Sequence, residues 1–324
     1  MKRPFVVTTL VVLPLKRLLQ PFFTGETSVK IKIILNPYAN RWGAQAQEEA
    51  LREMLSTADS SCDIVVTQAP GEGIDIAEAA VHEGYDVVVA AGGDGTINEV
   101  INGILRATPE GPTLPFGILP LGSANDFNKL AGLPDTSAQA FEVIEAGHTR
   151  QIDAGRVNDR YFINNSAIAM EPTVTLESWK IQRLSGESRY IVALIRALAR
   201  LNAWQMDVSW DDDQFQGPAY LLSVCNSERT GGFTMAPGAE IDDGVLDLVI
   251  AKEVPKLTFL QMLLQLLQGK HTEHGDVIFT RVTEISITTD PGTPVHADGE
   301  VFSTSETNFD YTVLPGKVTL LSPA

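Results

Sequence analysis

The chain has 324 residues, of which 44% are hydrophobic and 20% charged, as expected of a globular protein with packed cores and about two domains. Its 24 basic and 41 acidic residues give a formal charge of −17. That balance argues against a nucleic-acid binder that neutralises many phosphates, though it does not exclude a local basic patch.

In chain order, residues 1–28 stand apart: they carry basic residues, an apolar run from Phe5 to Leu15, and no acid before Glu26. The run is shorter than the roughly 20 residues that span a bilayer, is broken by Pro14, and is followed by Lys16 and Arg17. A disordered leader or upstream-start artefact, an interfacial anchor and a secretory signal all stay open for it.

From Val29 the pattern becomes regular. "VKIKIILNP", "CDIVVTQ", "YDVVVAA" and "PFGILPLGS" read as strands, and "AQAQEEALREMLS", "GIDIAEAAVHEG", "TINEVINGILRA", "ANDFNKLAG" and "SAQAFEVIEAG" as helices between and after them. Strands alternating with helices predict a parallel sheet covered on both faces. After about Gly147 the pattern changes to strands and hairpins, with turns at Asn158–Asp159 and in the Asp211–Asp213 run. "GVLDLVIA", "EISITTD" and "VTLLS" read as further strands, and "SRYIVALIRALARLNAW" and "KLTFLQMLLQLLQGK" as two helices among them. The expected fold class is therefore α/β in two domains: an N-terminal α/β nucleotide-binding domain with a parallel sheet, and a C-terminal β-sandwich-like domain. No long linker separates them, so a cleft where they abut is the natural place for a site.

Cys62 and Cys225 are far apart and in no Cys/His cluster, so neither a zinc site nor a disulfide framework is indicated and both read as reduced core residues. His271 and His274 follow a helix end and read as solvated.

Three strand ends carry chemistry. "GGDGT", at Gly92–Thr96, ends an apolar strand on glycines that let a ligand approach the backbone, and opens a helix whose first N–H groups and dipole suit phosphate. Ile97, Val100, Ile101, Ile104 and Leu105 form that helix's buried face. Asp94 beside a phosphate implies an intervening Mg²⁺; a helix cap is the other reading. "LPLGSANDF" repeats the pattern with Ser123, Asn125 and Asp126, and "LNPYANRWG" does so with Asn36, Pro37, Asn40 and Arg41. Carboxyl ends of parallel strands lie side by side, so the three loops compose one site. Neither GxxxxGK[ST] nor GxGxxG is present, which disfavours a P-loop or dinucleotide fold.

"AAGGDGTINEVINGI", "LPLGSANDF" and the late "HADGE" together resemble the diacylglycerol kinase catalytic-domain family, in particular the bacterial soluble lipid kinases of the YegS and DgkB type. The resemblance spans roughly residues 30–324. It implies an ATP-binding domain at 29–149, to which about 311–324 return, and a β-rich acceptor domain at 150–310. It implies nucleotide contacts at Asn36, Pro37, Tyr38, Ala39, Asn40, Thr67, Gly93, Asp94, Gly95, Thr96, Ile97, Asn98, Glu99 and Ser123. The Tyr-Ala-Asn after Asn36–Pro37 and the serine at 123 depart from the commoner family pattern.

In "PGAEIDDGVLDL" the resemblance implies a structural Mg²⁺ held by Asp243 with main-chain oxygens of Glu240 and Val245, against the plain reading of a turn with solvated acids. In "VHADGE" it implies that Glu300 is the base for a lipid hydroxyl, with Asp94 as the other catalytic residue, against the plain reading of β-turn acids. Lys180, Arg183, Arg189, Arg196 and Arg200 form a basic stretch that either docks on anionic head groups or faces water.

The function so expected is transfer of the γ-phosphate of ATP, with Mg²⁺, to the hydroxyl of a lipid such as diacylglycerol at the membrane surface. The setting is cytoplasmic, at the inner face of the membrane. A homodimer is compatible with the sequence, and no nucleic-acid partner is expected. A phosphotransferase of the NAD-kinase type and a non-catalytic nucleotide- or lipid-binding protein are the alternatives.

Overall fold

In a computed structural model of the chain, the described residues are 29–39, 43–56, 60–123, 125–181, 184 and 186–324. Residues 1–28, Asn40, Arg41 and Arg183 lie outside them. The first half alternates as its hydrophobic periodicity predicts: β1 (Lys30–Leu35), α1 (Gly43–Ser56), β2 (Ser61–Val66), α2 (Glu72–His82), β3 (Val87–Gly92), α3 (Asp94–Ala107) and β4 (Pro115–Pro120). Two further helices follow, α4 (Asp126–Leu130) and α5 (Ser137–Ala146).

β1 pairs in parallel with β2 and β3, and β3 with β4. One face of these strands packs on Ala77 and Ala80 of α2 and on Ile97, Val100, Ile101, Ile104 and Leu105 of α3. The opposite face packs on Leu51 and Leu55 of α1 and Ala140, Phe141 and Ile144 of α5. All six residues of β3 are buried, which is why it reads as a continuous apolar run.

The second half contains β5 (Thr149–Val157), β6 (Arg160–Phe162), β7 (Asn165–Ala169), α6 (Met170–Trp179), α7 (Gly186–Ala199), β8 (Trp204–Trp210) and β9 (Asp213–Cys225). Then come β10 (Arg229–Thr230), β11 (Phe233–Thr234), β12 (Leu246–Lys252), α8 (Lys256–Leu266), β13 (Val277–Val282), β14 (Glu284–Ala297) and β15 (Glu300–Leu321). Its strands are antiparallel, and their inward residues, among them Phe162, Met206, Val208, Leu222, Leu248, Ile287, Phe309 and Tyr311, form one apolar core. α6, α7 and α8 pack on further residues of β9 and β12 (Tyr220 and Ala251) through Met170, Val174, Ala193, Ala197, Phe259 and Met262.

The two halves share a sheet of order β13-β12-β9-β7-β14-β15-β4-β3-β1-β2. The long strand β15 makes the join: Tyr311 and Thr312 pair with β14 and β5, while Thr319 and Leu320 run parallel to Pro115 and Phe116 of β4. The chain end therefore completes the N-terminal sheet.

The structure corrects three local expectations. Residues 170–179 form helix α6, in a stretch for which the strand-and-hairpin pattern predicts no helix. His271 is not solvated: it is 5% exposed, and its Nε2 donates to the Met235 carbonyl at 2.9 Å. Cys225 is a buried core residue, but Cys62 is only half-buried; both are free thiols.

Candidate active site

The loops after β3 and β4 meet backbone to backbone. A Cβ on Gly122 would stand 2.4 Å from the Cα of Gly93, so only glycine allows this approach. Gly92 is equally tight: a Cβ there would lie 2.5 Å from the Thr96 Cβ. Thr96 is buried, and its hydroxyl accepts from Asn36 Nδ2 at 3.0 Å, while Asn36 Oδ1 accepts from the Tyr38 N–H at 2.9 Å. The strand ends of β1 and β3 are thus tied by side chains at the start of α3. Pro37 is buried, Ala39 packs on the core, and Tyr38 and Ser123 are exposed. Thr67 is buried at the end of β2, with its hydroxyl on the Leu35 carbonyl.

Asp94 opens α3 but caps a different helix. Its carboxylate accepts from the N–H groups of Asp126 (3.3 Å) and Phe127 (3.1 Å), at the start of α4. Asp126 lies close enough that burial, and then the charge of Asp94, push its pKa above the usual carboxylate range. Two acids converging at a helix start are a donor set that suits a divalent cation. Glu99 is committed elsewhere: its two oxygens accept from the N–H groups of Gly71 (2.8 Å) and Gly73 (3.0 Å), fixing the start of α2. Ile97 is buried in the core, and Asn98 is turned toward the second domain.

The "HADGE" segment is the tight turn between β14 and β15. Asp298, at φ +49°, turns its carboxylate inward. That carboxylate accepts from the N–H groups of Ile163 (3.1 Å), Asn164 (2.9 Å) and Asn165 (3.0 Å), and from Asn98 Nδ2 (3.1 Å). All four partners are donors, and one belongs to α3. Asp298 therefore clamps the second half of the chain to the helix that opens on the glycine loop.

His296 is buried beneath the turn. The Gly299 N–H donates to its Nδ1 at 3.2 Å, so the hydrogen is on Nε2, which points at Glu171 Oε1, 3.2 Å away. Glu171 also accepts from Asn165 Nδ2 (2.9 Å) and the Thr230 hydroxyl (3.1 Å). Burial alone would raise its pKa, but the bonds from His296, Asn165 and Thr230 outweigh that and hold it below the usual glutamate range.

Glu300 follows the turn and crosses to the glycine loop. Its Oε1 lies 3.0 Å from where a Cβ on Gly95 would stand. The residue is exposed, but protein atoms crowding its carboxylate, followed by the charge of Glu99, hold its pKa above the usual value. A carboxylate so shifted, beside a helix start suited to phosphate, can take a proton from an alcohol. Between the halves lies a polar cleft of about 170 Å³ lined by Asp94, Asp126, Asn164, Asn165, Glu171, Thr230, His296 and Asp298. Glu171 and Thr230 also line an apolar cavity of about 240 Å³ beneath α6, α7 and α8.

The 240–247 turn is separate from this cleft. Asp243 receives the Val245 N–H at 3.3 Å, and Arg281 approaches it at 3.6 Å. Burial, with Asp243 adding repulsion, pushes Asp247 up to about 6, against the pull of Arg281. Among the described residues, no group of three or more His, Cys, Asp or Glu side chains is arranged to hold a metal.

Residues 30–157 match the model of the diacylglycerol kinase catalytic domain, and residues 169–322 that of the YegS C-terminal NAD kinase beta sandwich-like domain. A diacylglycerol kinase of Staphylococcus aureus (strain MRSA252) is 31% identical over 282 residues, covering 86% of this chain and 89% of the relative. The chain belongs to the diacylglycerol kinase family. The enzyme of the same description from S. aureus strain Newman matches this kinase to the same extent, 31% over 282 residues. The fold agrees too. A crystal structure of a diacylglycerol kinase from Bacillus anthracis superposes with a TM-score of 0.69 at 22% identity, over 92% of this kinase and 98% of that chain. A second B. anthracis structure reaches 0.75, also at 22% identity, over 92% and 99%.

Sequence reasoning missed Glu171, Asn165, Thr230 and His296 as lining residues. Only the adjacency of His296 to the "DGE" element signalled any of them.

Proposed function

We propose that this lipid kinase transfers the γ-phosphate of ATP to the hydroxyl of a lipid such as diacylglycerol in the cleft between the glycine loop and the β14–β15 turn. Residues 29–149, with about 311–324, bind ATP, and residues 150–310 bind the acceptor. The observation that carries this reading is the reach of Glu300 across the cleft to Gly95.

The first N–H groups of α3 have no partner within the helix and, with the helix dipole, hold the phosphates of ATP. Asn36, Pro37, Tyr38, Ala39, Asn40, Thr67, Gly93–Glu99 and Ser123 are the proposed nucleotide residues. Asn36 and Thr96 act by fixing the loop, and Glu99 by anchoring α2. Asp94, with Asp126 beside it, would hold Mg²⁺, which would supply charge neutralisation for the phosphates.

The lipid hydroxyl attacks the γ-phosphorus. Its oxygen forms the new P–O bond, its proton passes to Glu300, and the bond to the bridging oxygen breaks to release ADP. Positioning and charge stabilisation carry most of the rate in such transfers.

A second cation at Asp243, with the carbonyl oxygens of Glu240 and Val245, would relieve the repulsion between Asp243 and Asp247 that Arg281 meets only in part. Mg²⁺ is then expected to raise the melting temperature, and Asp243→Ala to remove that increment; a melt indifferent to EDTA contradicts it.

The reaction itself is tested with γ-labelled ATP against a library of lipid alcohols, read by the mass of the product. Label found only in free phosphate would overturn the transfer.

A further inference from the structure

Among the described residues, every exposed large apolar side chain except Tyr38 lies on one part of the molecule: Trp179, Leu184, Ile191, Ile195, Leu257, Leu260, Leu264 and Leu267. Spacings of three, four and three place Leu257, Leu260, Leu264 and Leu267 on one stripe along α8 and its end. Leu257 is 71% and Leu267 64% exposed, although Phe259 and Met262 of α8 are already buried against the sheet. Ile191 and Ile195, four apart on α7, extend the patch.

A patch of this kind on a folded chain marks an interaction surface. Its position narrows the partner. Ile195, Leu260, Leu264 and Leu267 also line the apolar cavity, so the patch surrounds the mouth of a cavity whose inner end is closed by Glu171 and Thr230 of the polar cleft. Its charge narrows the partner further. In a chain of net charge −17, these helices and their flanks carry exposed Arg196, Arg200, Lys256 and Lys270; Arg200 lies 3.6 Å from Glu177, and the exposed acids Glu253 and Glu273 stand outside the run from Lys256 to Lys270. A second copy docked face to face would bring these cations together. An anionic bilayer surface satisfies both the leucines and the cations.

We propose that the α7–α8 face inserts its leucine and isoleucine side chains into the interfacial layer of an anionic bilayer, placing the cavity mouth against the lipid so that an acceptor enters without crossing water. The proposal rests on the lipid-kinase reading for its purpose, but its test does not require turnover.

The full chain is mixed with vesicles of dioleoylphosphatidylcholine, with and without dioleoylphosphatidylglycerol, and sedimented. Binding is expected to need the anionic lipid and to weaken with salt. The double variant Ile191→Glu/Leu257→Glu alters exposed side chains that do not line the cavity. It is expected to keep the wild-type melting temperature and its turnover of a detergent-dispersed acceptor, while losing vesicle affinity by at least about tenfold. Vesicle binding equal to wild type would overturn the proposal, because another segment would then carry the contact. So would a wild-type dimer that the double variant dissociates, since the face would then belong to a second copy. Failure of the kinase reading looks different: vesicle binding intact, with no lipid phosphorylated.

Discussion

Glu300 and His296 divide the work of one turn. Crowding of its carboxylate by protein atoms, and then the charge of Glu99, raise the pKa of Glu300 although the residue is exposed, and protonation would remove the capacity as a base proposed for it. Turnover is therefore expected to fall on the acid side at a pH above the ordinary glutamate value of about 4.3. Glu300→Gln is expected to cut kcat by about 10²–10⁴ with the melting temperature unchanged; a variant of near-normal rate would remove the base from the mechanism. In the proposed mechanism His296 would position Glu300 through the Gly299 N–H on its Nδ1. An asparagine at 296 can offer an oxygen near the same place, whereas a glutamine cannot without displacing the turn. His296→Asn should thus retain more kcat than His296→Gln, at equal KM for ATP; equal losses would make His296 merely structural. At this scale the glycine loop and the pair Asp298/Glu300 were legible, because their spacing in the sequence is their spacing in the turn. The partners of Asp94 and Glu99 were not. Asp94 bonds Asp126 and Phe127, and Glu99 bonds Gly71 and Gly73, through loops that no local pattern encodes.

At Gly103, α3 packs directly on the backbone of α2. A Cβ on Gly103 would stand 2.2 Å from the Ile74 carbonyl oxygen and 2.7 Å from the Ala77 Cβ. Backbone cannot yield as a flexible side chain can, so Gly103→Ala should destabilise the kinase by about 1–3 kcal/mol, read as a lower denaturant midpoint. An unchanged midpoint would mean that the helices separate freely. The helices of the first half were legible from their apolar stripes, but α6 was not. Thr173, Val174 and Thr175 favour strands, and Pro172 reads as a breaker until the helix start just before it is known. What decides α6 is tertiary: Met170 and Val174 pack beneath α7, and Glu171 is fixed by β7, β10 and β14. The depressed pKa of Glu171 means that its network adds stability above the ordinary glutamate pKa, and that this stability is lost as pH falls through the folded-state value. Glu171→Gln should therefore flatten the acid side of the stability–pH curve; an unaltered slope would deny the network that role.

Across the whole molecule, β15 and Asp298 make two halves act as one frame. β15 runs from Glu300, just past the cleft-lining turn, to the edge of β4, and Asp298 binds donors from both sides of the cleft. Because every partner of the Asp298 carboxylate is a donor, Asp298→Asn sets an amide NH₂ against N–H groups, and should cost about 1–3 kcal/mol and loosen the cleft. The alternation of the first half and the hairpins of the second made the two-domain plan legible, but the sheet that runs through both was not. The pairing of residues 319–320 with 115–116 joins segments about two hundred residues apart, on ordinary alternating patterns. No helix among the described residues is long and apolar enough to cross a membrane. The central claim is that the start of α3 holds the terminal phosphate within reach of Glu300. A crystal soaked with a non-hydrolysable ATP analogue tests it most directly: the account predicts γ-phosphate density over Gly93–Thr96, facing Glu300, and density elsewhere, or a Glu300 turned away from the phosphorus, would contradict it.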